Sequence, residues 1–230
     1  LLAIFQPFAS LMRNHTQVRY LINPLISLWS LGVAVAQPLA QPKVLQPLGR
    51  DARVARAPTL PPKTLLLVVG ETARADHFQL NGYARASNPL LAQRADVVSF
   101  TQVMACGTST AASLPCMFSP LGRDEFTRSK NYSENLLDVL QHAGLAVLWV
   151  DNQSGCKGLC ERVPHVSTTA LKDAEYCSTG ECFDAVMLKN LDAEVAKLPA
   201  ERRAKGLVIV LHQMGSHGPA YYNRSPASSK

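Results

Sequence analysis

Three short segments carry residue types that could do chemistry. In residues 70–74 (GETAR) a glutamate, Glu71, follows an apolar run. A carboxylate there can ligate a cation, and Gly70 lets backbone or ligand approach closely. A helix cap or a plain surface residue is the competing use. In residues 106–116 (CGTSTAASLPC) small hydroxyl residues lead into a helix-like stretch. Converging N–H groups and the helix dipole favour a phosphate at such a place. A hydroxyl there becomes a nucleophile if a metal or base lowers its pKa; ordinary Ser/Thr capping is the alternative. In residues 212–219 (HQMGSHGP) two histidines sit in a Gly/Ser-rich turn. They could bind metal or phosphate or donate a proton, or be hydrogen-bonded loop histidines. Three modest signals at successive strand ends weigh more together than singly.

The elements that must position these segments read as α/β. Residues 64–70 (TLLLVVG) form a continuous apolar run, which predicts a strand buried on both faces. Residues 146–150 and 207–211 have the same character, with a helix predicted over 135–143 and an amphipathic helix over 184–198. Buried strands separated by helices predict a largely parallel sheet, and in such sheets sites collect at the carboxyl ends of the strands.

Composition supports this reading. The chain has 230 residues and is 47% hydrophobic, which suits a buried core and excludes global disorder. Six cysteines fall in three close pairs: Cys106 and Cys116, Cys156 and Cys160, Cys177 and Cys182. Disulfides and an oxidising compartment are the favoured explanation. Zinc is the competitor, but there is no set of CxxC knuckles and no histidine at finger spacing. The connectivity stays open at this level.

Residues 1–36 are predicted to form the end of a membrane domain and an interfacial helix. The apolar stretch 1–12 is shorter than the about 20 residues a spanning helix needs. It could be the tail of one, and 21–36, broken by Asn23 and Pro24, suits the interface. A buried helix of a soluble domain is the alternative. Residues 37–63, rich in proline and basic residues, read as a linker. The net charge of +6 concentrates here: Arg13, Arg19, Lys43, Arg50, Arg53, Arg56 and Lys63 face one acid, Asp51, over 13–63. An anionic membrane surface fits this pattern, at about 1 kcal/mol per basic side chain. Nucleic acid is not expected, because no recognised motif accompanies the charge.

Several of these stretches resemble the phosphoethanolamine–lipid A transferases, a family that includes the enzymes behind colistin resistance. The resemblance rests on GETAR (70–74), NGYAR (81–85), CGTST with PCMFS (106–119), DNQSGCKG (151–158) and HQMGSHGPAYY (212–222). RNHTQVRYLINP (13–24) resembles the family's join between membrane and periplasmic domains. The resemblance implies an alkaline-phosphatase/sulfatase-like α/β/α sandwich over 64–230, truncated here and preceded by a membrane-associated helical segment. It implies zinc as cofactor, with Glu71 and Thr110 as ligands and Thr110 also as nucleophile. His217 matches a histidine that contacts the phosphoethanolamine group or a further zinc, and Lys157 a lysine near the substrate phosphate. The cysteine pairs match family disulfides, which favours local pairing.

The implied reaction is ping-pong, with phosphatidylethanolamine as donor and lipid A as acceptor. The implied location is the bacterial inner membrane, with the catalytic domain in the periplasm. Other envelope acceptors (a core sugar, a glucan, a protein glycan), sulfatase-like hydrolysis and a catalytically dead lipid-sensing module are the rivals. The family also uses an Asp-His pair further along; here Asp76-His77 is the only such dipeptide and precedes Thr110. The chain is therefore expected to be an internal fragment of a longer enzyme, inactive alone.

Overall fold

The computed structural model describes residues 31, 44–55, 60–129, 132–169, 171, 173–178 and 181–218. A four-stranded parallel sheet organises them. Its strands are β1 (Thr64–Val69), β2 (Ala146–Asp151), β3 (His165–Ser167) and β6 (Leu207–His212), in the order β1-β6-β2-β3. A separate hairpin pairs β4 (Cys177–Ser178) with β5 (Glu181–Cys182). The helices that matter below are α1 (Thr110–Met117), α2 (Leu136–His142) and α3 (Leu191–Ala196).

The two central strands alternate cleanly between two cores. Val147, Trp149, Val208 and Val210 point to one side, where Leu114, Phe118, Leu137 and the Cys156–Cys160 disulfide cover them. Leu148, Val150, Ile209 and Leu211 point to the other, against Val186, Met187 and Leu198. Each fully buried aliphatic side chain contributes about 1.5–3 kcal/mol, so the period-two pattern of β2 and β6 fixes their register as well as their burial. Layers on both faces make this the expected sulfatase-like sandwich.

β1 departs from expectation. Among the described residues it is an edge strand bonded only to β6, and Leu65, Leu66 and Val68 are 55%, 50% and 50% exposed. An apolar run reports that a strand can be buried, not how many neighbours it has.

α2 begins with a capping box. Leu137 N–H donates to the Asn135 side chain (2.8 Å), and Asn135 N–H donates to Asp138 Oδ2 (2.8 Å). Asp138 also accepts a forked pair from Arg162, at 2.8 and 2.7 Å, which ties the helix to the loop before β3.

Upstream of β1, Gln46 N–H donates to Tyr132 O, Glu134 N–H to Gln46 O and Leu48 N–H to buried Glu134. Part of the segment read as a linker therefore lies along the folded domain, which as a compact unit starts at Leu45. The membrane and interfacial readings of 1–36 lie outside the described residues, apart from Leu31. Among the described residues no helix is long and apolar enough to cross a membrane.

Burial pushes the Asp138 carboxyl up, but the hydrogen bonds from Arg162 and the Asn135 N–H outweigh it and hold it below its ordinary value of 3.8. A depressed carboxyl stabilises the fold above its unfolded pKa, and that contribution disappears as pH falls through the lowered folded value. Asp138→Asn should thus lower stability at pH 7 by roughly 2–4 kcal/mol, and the deficit should shrink towards pH 2. Urea midpoints across that range check this.

Candidate active site

The sheet register brings three loops to one edge. Val69 and Asp151 both pair with His212, so β1, β6 and β2 end level with one another. Glu71, the turn after His212 and Gln153 all follow within a few residues of those ends.

Glu71 is where they meet. Its Oε2 accepts hydrogen bonds from Thr110 Oγ1 at 2.8 Å and Gln153 Nε2 at 3.1 Å, and its Oε1 accepts from Thr72 Oγ1 at 2.6 Å. Thr110 is the first residue of α1, so its hydroxyl lies at the positive end of that helix. The Cys106–Cys116 disulfide fixes the approach to the helix against its last turn. Partial burial pushes the Glu71 carboxyl up, but the three donated hydrogen bonds and nearby His217 outweigh it and hold it below the usual range. Thr72 adopts φ +53, which a β-branched residue rarely does. That conformation directs a hydroxyl onto the carboxylate next door.

The turn after β6 packs on the backbone of Glu71. Gln213 N–H donates to Val69 O and Ser216 N–H to Glu71 O. Gly215 has φ +51, and a Cβ built there would lie 2.9 Å from Glu71 O. Only glycine fits.

Beneath this surface, Asp151 braces the strand ends. Its Oδ1 accepts Gln153 N–H at 2.8 Å, and its Oδ2 accepts Trp149 Nε1–H at 2.9 Å and His212 Nδ1–H at 3.0 Å. Burial pushes this carboxyl up as well, but the bonds from His212 and Trp149, the charge of His212 and the Gln153 N–H together keep it low. Of the two histidines singled out in residues 212–219, His212 is fully buried in this brace, and His217 faces solvent.

The structure therefore brings Glu71 and Thr110 into direct contact and sets His217 on the adjoining turn. Lys157 reaches the cluster indirectly. Its Nζ donates to Ser154 O (2.7 Å) and Oγ (2.9 Å), Ser154 Oγ donates to Gln153 Oε1 (2.6 Å), and Gln153 donates to Glu71. All three cysteine pairs are disulfides: Cys106–Cys116, Cys156–Cys160 and Cys177–Cys182. Sequence reasoning missed Gln153, Asp151 and Gly215 as parts of this site. The run DNQSG after a buried strand was the available signal for the first two.

Chemically, an ionised carboxylate holds the hydroxyl of a threonine at a helix N-terminus. Two oxygen atoms converge, and the carboxylate is a type that zinc accepts. Among the described residues no group of three or more His, Cys, Asp or Glu completes a metal site. Replacing Gly215 by Ala should displace the Glu71 backbone and lengthen the 2.8 Å Thr110–Glu71 contact. A crystal structure of G215A checks this, and an unmoved Glu71 would contradict it.

The profile of the family described as Sulfatase matches residues 63–230, and that described as Phosphoethanolamine transferase EptA/EptB matches residues 1–39. Phosphoethanolamine transferase EptA of Escherichia coli (strain K12) is 41% identical over 230 residues, covering 96% of this chain and 40% of its own length. Phosphatidylethanolamine transferase Mcr-1 of Escherichia coli is 41% identical over 228 residues, covering 94% of this chain and 41% of its own. Among solved structures, the integral membrane protein lipooligosaccharide phosphoethanolamine transferase A (EptA) from Neisseria meningitidis superposes with a TM-score of 0.80 at 39% identity. That match covers 99% of this chain and 42% of the other. The chain spans about two fifths of the length of these relatives.

Proposed function

Because this chain belongs to the sulfatase family, in its branch of phosphoethanolamine transferases, we propose that the whole protein moves phosphoethanolamine from phosphatidylethanolamine to a phosphate of lipid A, through a covalent intermediate on Thr110. The observation that carries the reading is the 2.8 Å hydrogen bond from Thr110 to Glu71 at the start of α1.

Glu71 orients the Thr110 hydroxyl and, being held ionised, draws its proton away from the attacking lone pair. Thr110 Oγ1 forms a bond to phosphorus while the bond to the diacylglycerol oxygen breaks, and the proton ends on that oxygen. In the second half an oxygen of a lipid A phosphate attacks the same phosphorus. The Oγ1–P bond breaks, and Thr110 regains a proton from the incoming phosphate or water. Zinc held by Glu71 and Thr110 would supply a lower hydroxyl pKa and counter-charge for the phosphoryl oxygens. The N-terminus of α1 adds partial positive charge at the same place. His217, on the turn beside Glu71, and Lys157, beyond Ser154 and Gln153, are the substrate-binding groups for the phosphoethanolamine charge.

Three disulfides in one domain fit an oxidising compartment. Together with the match at residues 1–39 they support an inner-membrane protein with this domain in the periplasm.

Mass spectrometry of lipid A from a Gram-negative host expressing the whole protein tests the reaction. Wild type should add one phosphoethanolamine group, Thr110→Ser should retain part of the activity, and Thr110→Ala should add none. Unmodified lipid A beside membrane-bound wild-type protein would refute lipid A as acceptor, and the same group on core sugars or glycans would name the replacement.

A further inference from the structure

Asp184 touches none of the groups the reaction uses, yet its carboxylate has a full set of donors. Its Oδ1 accepts the Met214 N–H at 2.8 Å and an Asn152 Nδ2–H at 2.9 Å, and its Oδ2 accepts the Gly215 N–H at 2.9 Å. Two consecutive backbone amides of the turn after β6 are thus gripped by one side chain. Hydrogen bonds to an ionised acceptor are roughly twice as strong as neutral ones.

The grip has a fixed base. Asp184 opens a 3-10 turn, Asp184–Leu188, whose Val186 and Met187 are buried in the core. Just before it, the Cys177–Cys182 disulfide closes the β4–β5 hairpin, and Phe183 N–H donates to Tyr176 O. Asn152, almost wholly buried at the end of β2, also donates to Cys182 O at 3.1 Å and accepts from Thr168 at 2.9 Å. Asp184 is therefore anchored to the sheet and to a cross-linked hairpin.

The other end of the grip is the reaction centre. Gly215, held by Asp184, lies against Glu71 with no space for a Cβ, and Ser216 N–H donates to Glu71 O at 3.1 Å. His217 follows directly. Any movement of this turn moves the backbone that carries the carboxylate facing Thr110.

We infer that Asp184 is a positioning residue for transfer: through the amides of Met214 and Gly215 it sets where Glu71 and His217 stand relative to Thr110. The inference rests on the proposed transferase reading. A carboxylate is required, because three donors converge on it. Asparagine has the same shape but would turn an NH2 towards one of those N–H groups, setting donor against donor.

The test compares wild type, Asp184→Asn and Asp184→Glu in the whole membrane protein, with phosphatidylethanolamine and lipid A as substrates. D184N should lower kcat by about tenfold or more, with a smaller rise in KM for the donor through the displaced His217, as misplacement of a reacting group does. Without substrate, amide hydrogen exchange over residues 213–217 should quicken in D184N while β6 stays protected. D184E, which keeps the charge but lengthens the side chain, should fold and also lose kcat, and it carries the test if D184N does not fold. Folded variants with wild-type kcat, or unchanged exchange at the turn, would overturn the inference. A wild type that transfers nothing would overturn the reaction itself, and the exchange arm keeps the two failures apart.

Discussion

The hydrogen bond from Thr110 to Glu71 joins residues 39 positions apart, and no local element can hold it. It exists because β1, β6 and β2 end level, and because a disulfide fixes where α1 begins. A one-residue slip of β1 against β6 would turn the Glu71 side chain towards the opposite face of the sheet. The buried alternation of β2 and β6 forbids such a slip for those two strands. Among the described residues β1 is an edge, and its register there depends on its ladder with β6 and on the Gln213 and Ser216 amides that stitch the following turn to Val69 and Glu71.

The electrostatics follow the same plan. Glu71 and Asp151 are both kept ionised by donated hydrogen bonds, from hydroxyls, amides, an indole and a histidine, and not by a lysine or arginine set against them. Among the described residues Lys157 donates to two neutral oxygens of Ser154, its carbonyl and its hydroxyl. The carboxylates meanwhile keep their oxygens turned to Thr110 and to the structural brace.

Much of the fold was legible from apolar runs and their spacing. The strands at 146–150 and 207–211 and the helix after Asn135 lie where the sequence pattern put them, whereas the single helix expected over 184–198 is split into a 3-10 turn, Asp184–Leu188, and α3. Nearness in sequence and family resemblance together indicated the cysteine pairing that the structure shows. β1 misled because apolarity carries no count of neighbours, and β3 escaped because three residues beginning with an exposed histidine give no pattern to read. At the site, Glu71 stood out by its place after a strand and Thr110 by the family resemblance, but their contact could not be derived from either. Gly215 and Asp184 were illegible for a common reason. Each acts through hydrogen bonds or packing to residues 30 or more positions away, and a local window contains no trace of such partners.

The most direct test of the account is to find the covalent intermediate. The whole protein would be incubated with phosphatidylethanolamine in the absence of lipid A, quenched in acid and mapped by peptide mass spectrometry. The account predicts a phosphoethanolamine group on Thr110, lost when lipid A is then added and missing from Glu71→Gln. An enzyme that modifies lipid A while Thr110 stays unmodified, or that carries the group on another residue, would contradict it.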